Sequence, residues 1–260
     1  MKSVKARIWK SFFAIVALTT LTVAGYGSYT IVQYLRTSPR FEIKKVEVVG
    51  LRRVEQTEVL AQAGLPDETN VFAVDLAQVR ERVEELKWVR FASVKRVLPD
   101  TIAISIVERQ PVGLARIKKQ ILQFDTEAEL LARDQGTGMN APILDGLKPD
   151  DREGNKKKVG IYRKIMDDLH GQGELSEIHI NDAGEVSVIS LNEPLLVRLG
   201  ADDFRGRWGM YLRHRAEIQR DYPEAVQVDF RFANQVILKM GPDAPAEQEK
   251  VVWDEEKKSL

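Results

Sequence analysis

Cysteine is absent from the 260 residues, and histidine occurs three times. The first absence excludes disulfides, thiolate nucleophiles and cysteine-held metals, and leaves stability to ordinary packing. The second leaves His170, His179 and His214 scattered, without a His-Glu-x-x-His or comparable metal spacing. A Walker loop and a Gly-x-Ser-x-Gly elbow are also missing. The acid pairs Asp150-Asp151, Asp167-Asp168 and Asp202-Asp203 fall in loops or at helix starts, where carboxylates face water or the positive end of a helix. No cluster is able to run chemistry, so the chain is expected to be no enzyme and to hold neither cofactor nor metal. Net charge is absent as well. Thirty-nine basic residues balance thirty-nine acidic ones, and the basic clusters lack interleaved aromatics, which argues against a nucleic-acid partner.

One stretch lacks charge altogether. Between Lys10 and Arg36 no charged residue occurs, and residues 12–35, as a helix, reach about 36 Å, enough for a hydrocarbon core of roughly 30 Å. A transmembrane helix over 12–35 is expected, preceded by a short tail, residues 1–11, carrying Lys2, Lys5, Arg7 and Lys10. Arg36, Arg40, Lys44 and Lys45 blunt the charge asymmetry, but large domains translocate largely regardless of charge, so the N-terminus is expected inside and the body outside. A cleaved signal peptide is the competing reading. Its apolar region is normally shorter, and Tyr26, Tyr29 and Tyr34 cluster near the far end as interfacial aromatics do. Thr20, Ala24 and Ser28, four apart, form a small-residue stripe suited to close helix packing or to nothing beyond a plain anchor.

Beyond the Ser38-Pro39 break, alternation over 43–49 reads as a strand ending at Gly50, and 55–63 as a short helix stopped by Gly64. A second helix starts at Asp75, where Asp75 and Gln78 have capping-box spacing, and Leu76, Val79, Val83 and Leu86 form its apolar face. Strands follow over 89–98 and 101–108, joined by the turn dipeptide Pro99-Asp100. Periodicity alone gives a small α+β module of unstated purpose. Trp88 reads as core filler at a corner, and Glu108 and Arg109 as a charged strand end.

Trp88-Val89, Ala92, Val94, Arg96, Pro99, Thr101-Ile102 and the run Val107-Glu108-Arg109-Gln110-Pro111-Val112 carry a dense resemblance to the polypeptide-transport-associated (POTRA) domain of the bacterial division FtsQ/DivIB family. The resemblance implies a POTRA domain (βααββ) over 41–110 and an FtsQ-type, mostly antiparallel β domain with packed helices over 111–240. The fold class is thus α+β. In the second segment, short strands flank Lys118-Lys119, and Pro142-Ile143-Leu144-Asp145-Gly146 resembles a family element expected to end a first small sheet. The polar stretch 148–158, with its lysine triplet, reads as a solvated loop before a helix over 159–170. A meander of three strands follows, then a helix over 200–220 with Phe204, Trp208, Tyr211, Leu212, Arg215 and Ile218 at helical spacing. The hairpin 226–232 and 235–240, turning at Ala233-Asn234, matches the family's Val-Asp-x-Arg-x-x-Asn ending, with Gln235 where relatives often carry glycine. The tail 241–260 reads as disordered.

The family implies a non-catalytic bitopic scaffold of the divisome, in the inner membrane at the division septum, with a cytoplasmic N-terminus and a periplasmic body. It also implies the small coiled-coil division proteins FtsB and FtsL as partners. The expected contact is strand addition along Gln235, Val236, Ile237, Leu238, Lys239 and Met240, an edge that nothing later in the sequence covers, with Val236, Ile237 and Leu238 beside the added strand. A POTRA-type chaperone or transport module and an anchored cell-wall hydrolase are the alternatives; the first would bring tandem repeats or a β-barrel, and the second lacks an assignable catalytic group.

Overall fold

A computed structural model describes residues 2–66, 69–133, 139–171, 175–232, 235–241 and 249–251. The chain divides into two units, Met1–Arg109 and Gln110–Leu260.

The first unit opens with α1 (Lys2–Thr37), in which Ile15–Thr37 is long and apolar enough to cross a membrane. The hydroxyls that dilute its hydropathy are turned onto the helix's own backbone: Thr20, Thr22 and Ser28 each donate to the carbonyl four residues back at 2.8 Å. Those three hydroxyls therefore present no free donor to lipid.

A 3-10 turn at Pro39–Phe41 leads into β1 (Lys45–Val49), α2 (Gln56–Ala63), α3 (Leu76–Glu84), β2 (Val89–Val97) and β3 (Thr101–Glu108), the βααββ order expected. The sheet runs β1-β3-β2, with β1 parallel and β2 antiparallel to the central β3. Asp75 caps α3 by accepting from Ala77 and Gln78 N–H at 3.0 and 3.2 Å. The expected helix face is buried at Val79 and Val83 and half-buried at Leu76 and Leu86, packed on Ile102, Ile104 and Ile106.

Glu108 is more than a charged strand end. Its carboxylate accepts the backbone N–H groups of Arg52, Arg53 and Val54 at 2.8, 2.9 and 3.0 Å, closing the β1–α2 loop. Partial burial opposes its ionisation, and those three donors outweigh it, holding the carboxyl below its ordinary range. Trp88 is half-buried against the core, with the Arg53 guanidinium 4.7 Å from its ring centroid.

The second unit contains β4 (Pro111–Ile117), β5 (Gln120–Asp125), β6 (Leu130–Arg133), β7 (Ile143–Asp145), α4 (Arg152–Asp168), β8 (Leu175–Ile180), β9 (Val186–Ser190), β10 (Glu193–Gly200), α5 (Phe204–Asp221), β11 (Ala225–Asp229), β12 (Val236–Met240) and β13 (Glu249–Val251). All ten strands form one sheet, ordered β13-β12-β11-β10-β9-β8-β7-β4-β5-β6. Two expectations fail here. The 142–146 element does not end a small sheet, because β7 pairs in parallel with both β4 and β8 and joins the halves. The lysine stretch is not a loop either. Asp151 accepts from Gly154 N–H at 2.9 Å and starts α4 early, and Lys158, 5% exposed, donates to Gly146 O at 2.6 Å and Asp182 at 2.8 Å.

Gly50 ends β1 at a φ of +92°, and a Cβ there would stand 2.0 Å from the Ile106 carbonyl oxygen. Gly50→Ala is therefore expected to destabilise the first unit by about 2 kcal/mol through backbone strain and the clash. Gly160, inside α4 with open space at its Cβ, supplies the contrast. Gly160→Ala is expected to stabilise by about 0.5–1 kcal/mol. Thermal melts of the two variants beside the parent check both signs.

Candidate functional site

The C-terminal edge of the large sheet is built from β10 outward. β11 runs parallel to β10, and β12 returns antiparallel to β11 in the register Val228↔Leu238 and Asp229↔Ile237. Alternation decides which side chains are free. Val228 and Phe230 go into the core, beside Val236 and Leu238 from β12, while Ile237 is half-exposed and Lys239 exposed. One side-chain expectation is corrected: Val236 and Leu238 serve the core rather than an incoming strand. Phe232 is 40% exposed, because β11 ends at Asp229 and the residues beyond it leave the strand's alternation.

The outer side of β12 is not bare. Glu249–Val251 pairs antiparallel with it, Val236 opposite Val251 and Leu238 opposite Glu249. Part of the stretch read as a disordered tail is thus a strand on the very edge expected to be uncovered. Two valines in Lys250-Val251-Val252 carried β propensity that the surrounding charge obscured. The Ala233-Asn234 turn and the rest of the tail lie outside the described residues.

Below the hairpin, α5 presents Phe204, Trp208, Tyr211 and Ile218, all buried; the rings of Tyr211 and Phe230 meet edge-on at 6.3 Å. Arg215 pairs with Glu193, which also accepts the Tyr211 hydroxyl at 2.6 Å. Leu212, expected on this apolar face, is 37% exposed.

An ion network ties the start of the hairpin to β9 and β10. Asp229, 3% exposed, accepts from the Arg231 guanidinium at 2.8–3.1 Å. Arg231 also donates to Glu185 at 2.7 Å, while Arg198 stands 3.4 Å from Asp229 and 3.5 Å from Glu185. The Arg231 and Asn181 hydrogen bonds hold the Glu185 carboxyl below its ordinary range, and Asp229 with Glu185 pushes the Arg231 guanidinium up. The spacing of two between Asp229 and Arg231 is the signal in the sequence that puts both on one side of a strand. The arrangement is a structural clamp. Among the described residues, no group of three or more His, Cys, Asp or Glu is placed to hold a metal ion.

Arg231→Met strips a nearly buried carboxylate of its main partner. It is expected to cost about 2–3 kcal/mol, less than for a fully isolated pair because Arg198 remains. The double variant Asp229→Leu with Arg231→Met is expected to lose less than the sum of the single changes in urea titrations. Because the Glu185 pKa is depressed on folding, its contribution is present above the ordinary glutamate range and disappears as pH falls through its lowered value. The acid-induced fall in melting temperature should accordingly be shallower in Glu185→Gln than in the parent.

Residues 41–109 match the model of the FtsQ-type POTRA domain. A protein described as cell division protein FtsQ from Koribacter versatilis is 30% identical over 244 residues, spanning 89% of this chain and 70% of that one. Another so described, from Geotalea daltonii, is 23% identical and spans 85% of this chain and 83% of its own. The solved major extracytoplasmic domain of the trans isomer of DivIB from Geobacillus stearothermophilus is 18% identical, spans 44% of this chain and 97% of that one, and has a TM-score of 0.30. With that first relative matched along most of both lengths and the βααββ unit in place, the chain belongs to the FtsQ family of bacterial cell division proteins.

Proposed function

We propose that the protein is a non-catalytic, single-pass scaffold of the division machinery, with its N-terminus in the cytoplasm and both folded units in the periplasm. Its body gathers the membrane-anchored division proteins FtsB and FtsL at the septum, and FtsB adds a strand to the outer side of β12. One observation carries the contact: that side of β12 accepts an antiparallel strand, because Glu249–Val251 already pairs there over Val236, Ile237 and Leu238. A partner strand running the length of β12 would satisfy more of its N–H and C=O groups than a three-residue tail strand does, and would take its place. Ile237 and Lys239, on the face turned away from the core, supply the side-chain contacts.

The orientation rests on the short basic N-terminus preceding a span followed by more than two hundred residues. No observation favours the transport-module or hydrolase alternatives.

A photo-crosslinking side chain at position 237 or 239 of the full chain is expected to capture an extracytoplasmic FtsB fragment, and one at exposed Arg52 is not. Removing residues 242–260 is expected to leave binding as tight or tighter, since the competing strand goes with them. Loss of binding on that truncation would place FtsB on β13 or the tail instead, and absence of crosslinks at both positions would remove the edge from consideration.

A further inference from the structure

The span does not pass into the first unit through a free linker. Asn70, 8% exposed, donates from Nδ2 to the carbonyls of Leu35 and Ser38 at 2.9 and 3.2 Å, while its Oδ1 accepts from Phe72 N–H at 2.8 Å. A POTRA side chain thus caps the last turn of α1 at the Leu35 carbonyl, and holds the Ser38 carbonyl just beyond it, which also accepts from Phe41 N–H at 3.1 Å. The chain beyond is held as well. Val71 N–H donates to Phe41 O at 2.8 Å, Ile43 N–H to Thr69 O at 2.9 Å, and the rings of Phe41 and Phe72 pack edge-on at 5.1 Å. Next, Lys44 N–H donates to Asp100 O at 2.9 Å. The β2–β3 turn, residues 98–100, therefore lies at the end of the sheet that is joined to the span, only two residues along from the Glu42–Asn70 bridge, or about 7 Å of extended chain.

That turn exposes what a soluble turn ordinarily avoids. Val97 is 48% and Leu98 57% exposed, adjacent in sequence and followed by exposed Pro99. Around the same end stand Arg36, Arg40 and Lys44, all exposed and without an ion pair among the described residues; Lys45 pairs with Glu47 at 2.5 Å. Among the described residues, Glu42 and Asp100 at this end are both half-buried, the latter accepting from the Thr101 hydroxyl at 3.1 Å, and Glu47 is taken up by Lys45. An apolar tip flanked by unpaired cations, tied through Lys44 and the Glu42–Asn70 bridge to the residue that caps a membrane helix, fits one kind of surface.

We infer that the β2–β3 turn of the POTRA unit docks on the bilayer its own span leaves, with Val97 and Leu98 in the interfacial layer and Arg36, Arg40 and Lys44 on anionic headgroups. Apolar residues at the headgroup boundary and basic residues against an anionic surface are the two contributions that hold peripheral elements on membranes. Neither depends on which leaflet is involved, nor on the FtsB contact. The docked turn and the Asn70 cap would give the first unit two attachments to the membrane instead of one, fixing its tilt.

The absence of cysteine makes the test direct, because Leu98→Cys gives the full-length protein one labelling site for an environment-sensitive fluorophore. Phe91→Cys is the control; Phe91 is 52% exposed near the opposite end of β2, about 20 Å away along the strand. In vesicles of equimolar phosphatidylcholine and phosphatidylglycerol with brominated acyl chains, the label at 98 is expected to lose at least about half its emission and the label at 91 to lose little. Replacing the phosphatidylglycerol by phosphatidylcholine, or introducing Arg40→Glu with Lys44→Glu, should weaken the quenching at 98 by about twofold or more. Equal quenching at 98 and 91 would overturn the docking. Quenching at 98 that is indifferent to both lipid charge and the two substitutions would overturn the assignment to anionic headgroups.

Discussion

Three residues hold the second unit together. Ile143–Asp145 form the strand β7, and without its parallel pairings to β4 and β8 the ten-stranded sheet would fall into two pieces, neither with a complete core. So short a strand makes few ladder hydrogen bonds, and α4 supplies the remaining restraint. Tyr162 donates to Pro142 O at 3.0 Å just before β7, and Lys158 donates to Gly146 O at 2.6 Å just after it. Burial pushes the Tyr162 phenol up, so it remains a neutral donor throughout the working pH range. In its nearly enclosed site Lys158 Nζ faces Asp182 at 2.8 Å, and Lys148 with Lys158 holds the Asp182 carboxyl down to about 2. Gly146 then turns the chain at a φ of +111°, where a Cβ would stand 2.2 Å from Ile180 O. Gly50 performs the same task after β1 in the first unit: in both, a strand ends against a neighbour's carbonyl in a conformation that disfavours a side chain.

The same continuity explains how the C-terminal hairpin is held. A two-stranded hairpin alone is marginal in water, but β11 and β12 extend a sheet that is already rigid, and α5 covers their inner face with Trp208 and Tyr211. The Asp229–Arg231–Glu185 clamp fixes the hairpin at the end where β11 stops. β13 pairs with the outer row of backbone groups on β12. A short intrachain strand on that row conceals part of an edge that would otherwise invite aggregation. Three residues of pairing offset little conformational entropy, so such a cover adds little to the stability of the sheet.

How much of this the sequence discloses follows from the range over which each feature is encoded. The α3 face, the isoleucine alternation of β3, the Asp75 cap and the aromatic stripe of α5 repeat within a few residues, so periodicity and capping rules reach them. Features that join distant residues escape. Glu108 meets the backbone of Arg52, more than fifty positions away; Lys158 meets Asp182; Arg231 meets Glu185. In each case a charged residue that locally reads as a solvated end or face is a connector. Buried or half-buried charges require partners, so their positions are dictated by the fold and not by the neighbouring sequence. The lysine triplet shows the consequence: three like charges in a row favour the reading of a solvent-facing loop, yet only Lys156 and Lys157 face water, while Lys158 lies on the buried side of α4 with an acid brought to it from the β8–β9 turn. A helix whose polar residues have distant partners is invisible to local propensity at the very end where those partners attach, which is why α4 begins several residues before its apolar pattern does.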